Sequence, residues 1–141
     1  MGRIMAIDYG NKRTGLAVTD PGQRIASPLE TVPTHTLMHF LEAYFSKEEV
    51  ESVVIGRPYR LDHSEAAIVK QIGFFAKAFK KRFPSVPVAW MDERFTSKLA
   101  ARSLIEGGMK KSERRIKGTL DKVSASLILQ TYLEKRNNMN R

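Results

Sequence analysis

The sequence predicts one α/β domain built on a mixed β-sheet with right-handed crossovers. Three apolar stretches follow one another from the N-terminus across turns too short for a helical crossover, so they form an antiparallel meander. Beyond them the pattern becomes helix-strand-helix-strand-helix-helix, which adds parallel strands to the meander. Hydrophobic residues make up 42% of the 141 residues, enough for a single core and too many for a disordered chain. The domain is expected over residues 1–136, with a frayed tail at 137–141.

Arg3 to Asp8 reads as a central strand, because Ile4, Met5, Ala6 and Ile7 leave both faces apolar. Gly10-Asn11-Lys12 is a turn, and Gly15 to Thr19 is the second strand. Asp20-Pro21-Gly22 is another turn, in which Pro presets φ and Gly accepts a positive φ. The third strand runs from about Ile25 to Val32, and Pro28 within it points to an edge position. Thr34 or Thr36 caps a helix to about Lys47, with Leu37, Phe40, Leu41 and Tyr44 on one face. Val53 to Gly56 is a strand. Ser64 caps a second helix, in which Ile68, Ile72, Phe75 and Phe79 repeat at helical spacing. A strand from Val86 to Met91 follows, then a helix from Thr96 to Glu106 that stops at Gly107-Gly108. Lys110 to Gly118 reads as a basic irregular loop, expected to close on a phosphate backbone, and the last helix as Thr119 to Lys135.

Lys and Arg number 24 against 15 Asp and Glu, a net charge of +9, which favours a polyanionic partner. The absence of cysteine excludes a disulfide scaffold, a Cys-ligated zinc and a thiol nucleophile. Apolar runs are too short for a transmembrane helix or a secretory h-region, and the first strand begins almost at once. The expectation is a cytoplasmic protein with no membrane partner.

The chemistry concentrates at three places. Asp8 ends the central strand, where open α/β sheets place their ligands, and a carboxylate there needs a cation or a donor. It opens Asp8-Tyr9-Gly10-Asn11-Lys12-Arg13-Thr14-Gly15, in which Arg13 is placed to grip a phosphate by a two-pronged contact. The plain alternatives are an Asp capping its own turn and an ordinary hairpin with exposed cations. A similar D-x-G turn opens the ATPase domains of the actin and sugar-kinase superfamily, whose second domain this length does not accommodate. Asp92-Glu93-Arg94-Phe95-Thr96-Ser97 follows the strand ending Trp90-Met91, and alternation gives Asp92 and Glu93 different roles. Two acids in a first helical turn are the plain alternative. Asp121 shares a helix face with Ala125, Ile128 and Tyr132, so it faces the sheet or satisfies free N–H groups at its helix start.

The basic segments are Lys110, Lys111, Arg114, Arg115 and Lys117, and the cluster Lys77, Lys80, Lys81 and Arg82. Both suit a solvated surface, and the first is the better nucleic-acid candidate because it leads to Asp121. His35 and His39 are spaced for zinc, yet with no Cys and no evident third ligand they read as surface histidines.

Together these pieces resemble the YqgF (RuvX) family of pre-16S rRNA nucleases related to Holliday junction resolvases, nearly end to end. The resemblance rests on Ile7-Asp8-Tyr9-Gly10 with Arg13, Gly15 and Ala17; on Val54-Ile55-Gly56 with Pro58; and on Asp62 with Ser64-Glu65. It continues through Asp92-Glu93-Arg94-Phe95-Thr96-Ser97 and Asp121 with Ala125, Ile128-Leu129-Gln130 and Tyr132-Leu133. Arg57, His63 and Ser124 stand where the family usually has an apolar residue, Gly and Ala. The resemblance implies an RNase H-like fold with sheet order 3-2-1-4-5 and strand 2 antiparallel to its neighbours. It also implies a metal-dependent nuclease in which Asp8, Glu93 and Asp121 are the catalytic acids and hold Mg²⁺ or Mn²⁺, two ions in all. Arg13, Arg94, Thr96, Lys110, Lys111, Arg114 and Arg115 then contact the substrate. The expected partner is nucleic acid, either precursor rRNA or a ribosomal particle, and the protein is a monomer or weak homodimer. Resolution of four-way DNA junctions and a non-catalytic nucleic-acid-binding module are the competing functions.

Overall fold

The structure, a computed structural model, describes residues 2–57, 63–92 and 113–139. Five strands make one sheet: β1 (Arg3–Asp8), β2 (Arg13–Thr19), β3 (Ala26–Pro33), β4 (Val50–Arg57) and β5 (Val88–Asp92). Their order is β3-β2-β1-β4-β5. β2 is antiparallel to both β1 and β3, while β1, β4 and β5 are mutually parallel. This is the α/β architecture and strand order expected from the sequence, with β3 and its Pro28 at an edge. Three α-helices lie within the described residues: α1 (Leu37–Lys47), α2 (His63–Arg82) and α3 (Glu113–Met139).

Alternation along the strands splits the core into two layers. Met5, Ile7, Val53 and Ile55 face α1 and α2, where they meet Leu37, Leu41, Ile72 and Phe79. Ile4, Ala6, Val54 and Met91 face α3, where they meet Ala125, Ile128, Leu129 and Leu133. Both layers bury β1, as the two-sided apolar character of this strand requires: Ile4, Met5, Ala6 and Ile7 are all buried. On the first layer an aromatic chain runs from Tyr9 to Phe75 (5.3 Å between ring centroids), Phe79, Phe83 and Phe45. Burial pushes the Tyr9 phenol above its ordinary range.

Several local expectations are revised. In the β2–β3 turn Gln23, not Gly22, takes the positive φ, at 59°. Its side chain anchors it there: Nε2 donates to the Gly2 carbonyl at 2.8 Å and to Glu51, and Oε1 accepts from Arg136 at 2.8 Å. Neither Thr34 nor Thr36 caps α1 through its side chain, because a 3₁₀ turn over Thr34–Thr36 precedes the helix. Helix α2 begins at His63, one residue ahead of the expected Ser64 cap. Helix α3 begins at Glu113, so residues 113–118 are helical rather than irregular, and it continues to Met139 through part of the expected tail. The expected helix from Thr96 to Glu106 lies outside the described residues. His35 and His39 are exposed, and His35 precedes α1, so the two are not one regular helical turn apart. Among the described residues no helix is long and apolar enough to cross a membrane.

Candidate active site

The parallel strands β1, β4 and β5 end together. Ile7 pairs with Ile55, Ile55 with Trp90, and Arg57 with Asp92, so Asp8, Gly56 and Met91 are level at one sheet edge. Asp8 is the last residue of β1 and pairs with Gly15 of β2. Alternation with Ile4 and Ala6 puts its carboxylate on the α3 side of the sheet. Asp92 shares the side of Val88 and Trp90, which pack against the α1–α2 layer. Asp92 is therefore on the opposite side of the sheet from Asp8, and Glu93, for which the sequence predicts a different role, lies outside the described residues.

Helix α3 has a definite direction over this edge. Arg136, near its C-terminus, bonds to Gln23 in the β2–β3 turn at the far end of the sheet. Ile128 packs on Gly56 at the Asp8 end, so closely that a Cβ on Gly56 would come within 2.7 Å of Ile128 Cδ1. Position 121 is two helical turns further upstream, roughly 10 Å along the axis, and so lies beyond Ile128 in the direction of the Asp8 edge. It belongs to the same helical stripe as Ala125 and Ile128, which face the sheet.

The hairpin after Asp8 is held by backbone crowding and by a threonine. A Cβ on Gly10 would collide with the Arg13 carbonyl oxygen, so only glycine allows this turn. Thr34 Oγ1 donates to the Gly10 carbonyl at 2.7 Å and shares a 2.9 Å hydrogen bond with the buried Thr14 hydroxyl. Its backbone N–H donates to the Lys12 carbonyl at 2.9 Å. Thr34 therefore fixes the Asp8–Arg13 turn, a role that periodicity conceals because a threonine before a helix reads as a cap. Arg13 opens β2 at this same edge.

Of the other expected site residues, Glu93, Arg94, Thr96, Lys110 and Lys111 lie outside the described residues. For Asp121, Arg114 and Arg115 the backbone alone is described, as part of α3. Among the described residues no group of three His, Cys, Asp or Glu side chains is placed to hold a metal. The described residues also show features that periodicity and motif spacing do not single out. Arg57 stacks on Trp90, its guanidinium carbon 4.9 Å from the ring centroid, and Phe74 is 70% exposed. A signal for the second is nonetheless present in the chain: two adjacent Phe residues on a helix cannot both face the core, and Phe75 does.

Comparison with known proteins agrees with this fold. The family model RuvX, described as Holliday junction resolvase, matches residues 2–135. A protein of Bacteroides thetaiotaomicron named "Putative pre-16S rRNA nuclease" is 51% identical over 136 residues, covering 96% of this chain and 99% of its own. A relative of the same name from Porphyromonas gingivalis is 52% identical over 134 residues, covering 95% and 97%. Among solved structures, Thermus thermophilus RuvC in complex with a Holliday junction substrate has a TM-score of 0.60 at 19% identity, with 95% of each chain covered. A second Thermus thermophilus RuvC structure gives 0.54 at 17% identity, with 96% of each chain covered, and the two establish the shared RNase H-like fold. With a family model matched almost end to end and relatives half identical over nearly their full length, this chain belongs to the RuvX (YqgF) family.

Proposed function

We propose that this protein is a metal-dependent nuclease that hydrolyses phosphodiester bonds in structured RNA, acting on the 5′ end of precursor 16S rRNA in the cytoplasm. The observation that carries the reading is the convergence at one sheet edge. Asp8 ends the central strand on the α3 side, and α3 runs toward that edge through position 121. The curated relatives support the substrate class through their name.

Asp8, Glu93 and Asp121 are our candidates for the catalytic acids. Glu93 is preferred to Asp92 because Asp92 lies on the other side of the sheet. An all-carboxylate donor set fits Mg²⁺ or Mn²⁺, hard cations that take oxygen ligands and relieve the repulsion among clustered acids. Two such ions, when bound, supply an activated water and charge stabilisation for the departing oxygen. The chain's own residues hold those ions and position the phosphate. Arg13 begins β2 beside the Gly10 turn that Thr34 ties down, and its guanidinium offers two parallel donors to a phosphate oxygen pair. Arg94, Thr96, Lys110, Lys111, Arg114 and Arg115 extend the contact along the backbone, the last two from the first turn of α3.

The test is Asp8→Asn, which keeps the shape of the side chain and removes the charge that holds a cation. Wild type is expected to cut precursor 16S rRNA with Mg²⁺ or Mn²⁺ and not with chelator. The variant should lose at least about a hundredfold in rate with RNA affinity retained. Unchanged turnover at saturating Mg²⁺ removes Asp8 from the chemistry. Resolution of four-way DNA junctions is the second reading, favoured by the description of the matched family model. Cutting of a four-way junction with precursor RNA left intact would replace the RNA assignment with it.

A further inference from the structure

We infer that the outer face of α2, together with the cleft between α2 and β5, binds a single-stranded segment of nucleic acid, with bases stacking on Trp90 and Phe74. The inference rests on the nuclease reading for its biological substrate, but its evidence lies on the other side of the sheet from Asp8. A cleft of about 210 Å³ opens there between α2 and the ends of β4 and β5. Its walls carry Arg57, Lys77 and Lys80, its planar surface is Trp90, and among the described residues no acid lines it. Gly73 adds open space on the helix side, since a Cβ at that position would meet nothing within 4 Å among the described residues.

The helix beside the cleft continues the same chemistry. Between Ala67 and Arg82 it has five cations and no acid, and Arg82 pairs with Glu42 of α1 at 2.7 Å. Lys70, Phe74, Lys77 and Lys81 recur at helical spacing along one exposed stripe. A large aromatic ring, 70% exposed among lysines, contributes nothing to the core. An apolar protein partner would have to bury the positive charges of this stripe and of the cleft. A polyanion whose bases have π-faces satisfies both features. Lysines follow the phosphates while aromatic rings and the Arg57 guanidinium accept bases, an arrangement that favours unpaired strands because only splayed bases can stack. Arg57 and Asp92 pair at the same sheet edge at which Asp8 ends, so the cleft and Asp8 lie at the same end of the parallel strands.

The chain has a single tryptophan, so Trp90 fluorescence reports stacking directly. The full-length protein is titrated in EDTA, which keeps any RNA intact, with a 12-nucleotide oligouridylate and with a 12-base-pair RNA duplex. The single strand is expected to quench Trp90 emission and the duplex to do so far less. Phe74→Ala, at an exposed position, should weaken single-strand binding roughly five- to a hundredfold. Lys77→Ala with Lys80→Ala should weaken it and make the log K against log salt slope shallower by about 0.7 for each phosphate no longer neutralised. Oligonucleotide binding, followed by anisotropy, without quenching overturns the proposal, as do wild-type affinities in these variants. If Phe74→Ala instead converts a dimer to a monomer in sedimentation and leaves RNA affinity unchanged, the face belongs to a second copy. The two readings separate when the same protein preparation is also assayed for cleavage with Mg²⁺. Cleavage without quenching refutes this site alone, whereas quenching by a protein that cuts no nucleic acid refutes the nuclease assignment and retains the site.

Discussion

Replacing Gly56 by alanine tests how α3 is held over the candidate site. The added Cβ would stand 2.7 Å from Ile128 Cδ1 and 3.6 Å from its Cγ1. Ordinary carbon–carbon contact is about 3.5–4.0 Å, so Cδ1 must retreat by roughly 1 Å. Ile128 is fully buried between the sheet and the helix, which leaves its ethyl group no free volume to rotate into. Overpacking of this kind costs about 1–3 kcal/mol. Gly56 has no positive φ, so alanine recovers about 0.4–1 kcal/mol by restricting the unfolded chain. The net loss is then about 1–2 kcal/mol, a fall in Tm of roughly 3–8 °C for a chain of this size. Urea denaturation of a double-mutant cycle isolates the contact. Ile128→Val alone should destabilise by about 0.5–1.5 kcal/mol, but in the Gly56→Ala background it should stabilise, because it removes the colliding methyl. Displacement of α3 also moves position 121 relative to Asp8, so cleavage should fall roughly ten- to a hundredfold in the single variant and recover in the double. Wild-type stability in Gly56→Ala, or the same cost for Ile128→Val in both backgrounds, would refute the account.

Three further outcomes are expected. Thr34→Val removes the bonds to Gly10 and to the buried Thr14 hydroxyl, and should cost about 1–3 kcal/mol by urea denaturation while slowing cleavage through a loosened Asp8–Arg13 turn. The Asp20 carboxylate accepts hydrogen bonds from the backbone N–H groups of Ile25 and Arg24, which hold its pKa below the ordinary range. Its folded value is lowered, so its contribution is complete above about pH 4 and disappears as pH falls through the folded value. The stability gap between wild type and Asp20→Asn should therefore narrow in acid, and a gap independent of pH would contradict this. Replacing Lys110, Lys111, Arg114 and Arg115 with alanine should weaken RNA binding and make its salt slope shallower by about 0.7 for each phosphate left without its cation. Unchanged affinity and slope would reduce that segment to a connector.

Much of the architecture was legible because it depends on residues close in sequence. The two-sided apolar run Ile4–Ile7 marks β1 as central, Pro28 marks β3 as an edge, and short turns force β1, β2 and β3 to run antiparallel. The stripe Ile68, Ile72, Phe75 and Phe79 identifies the buried face of α2, and the same spacing identifies that of α3. Boundaries were less legible where side chains compete for backbone groups. Thr34 resembles a cap until its hydroxyl is found on Gly10, and Gly22 resembles the left-handed residue until Gln23 is found anchored by Gly2, Glu51 and Arg136.

The sequence by itself determined the acids available, the charge that favours a polyanion, and the order of the secondary-structure elements. Which side of the sheet each acid occupies follows from strand register, and that separates Asp8 from Asp92 although both end parallel strands. The direction of α3, set by Ile128 on Gly56 at one end and Arg136 on Gln23 at the other, carries position 121 toward Asp8 rather than away from it. The stacking of Arg57 on Trp90 joins residues 33 positions apart on neighbouring strands. Periodicity and turn chemistry act over a few residues and can be read along the chain. Register, helix direction and cross-strand stacking join distant residues, and so they are decided when those surfaces meet.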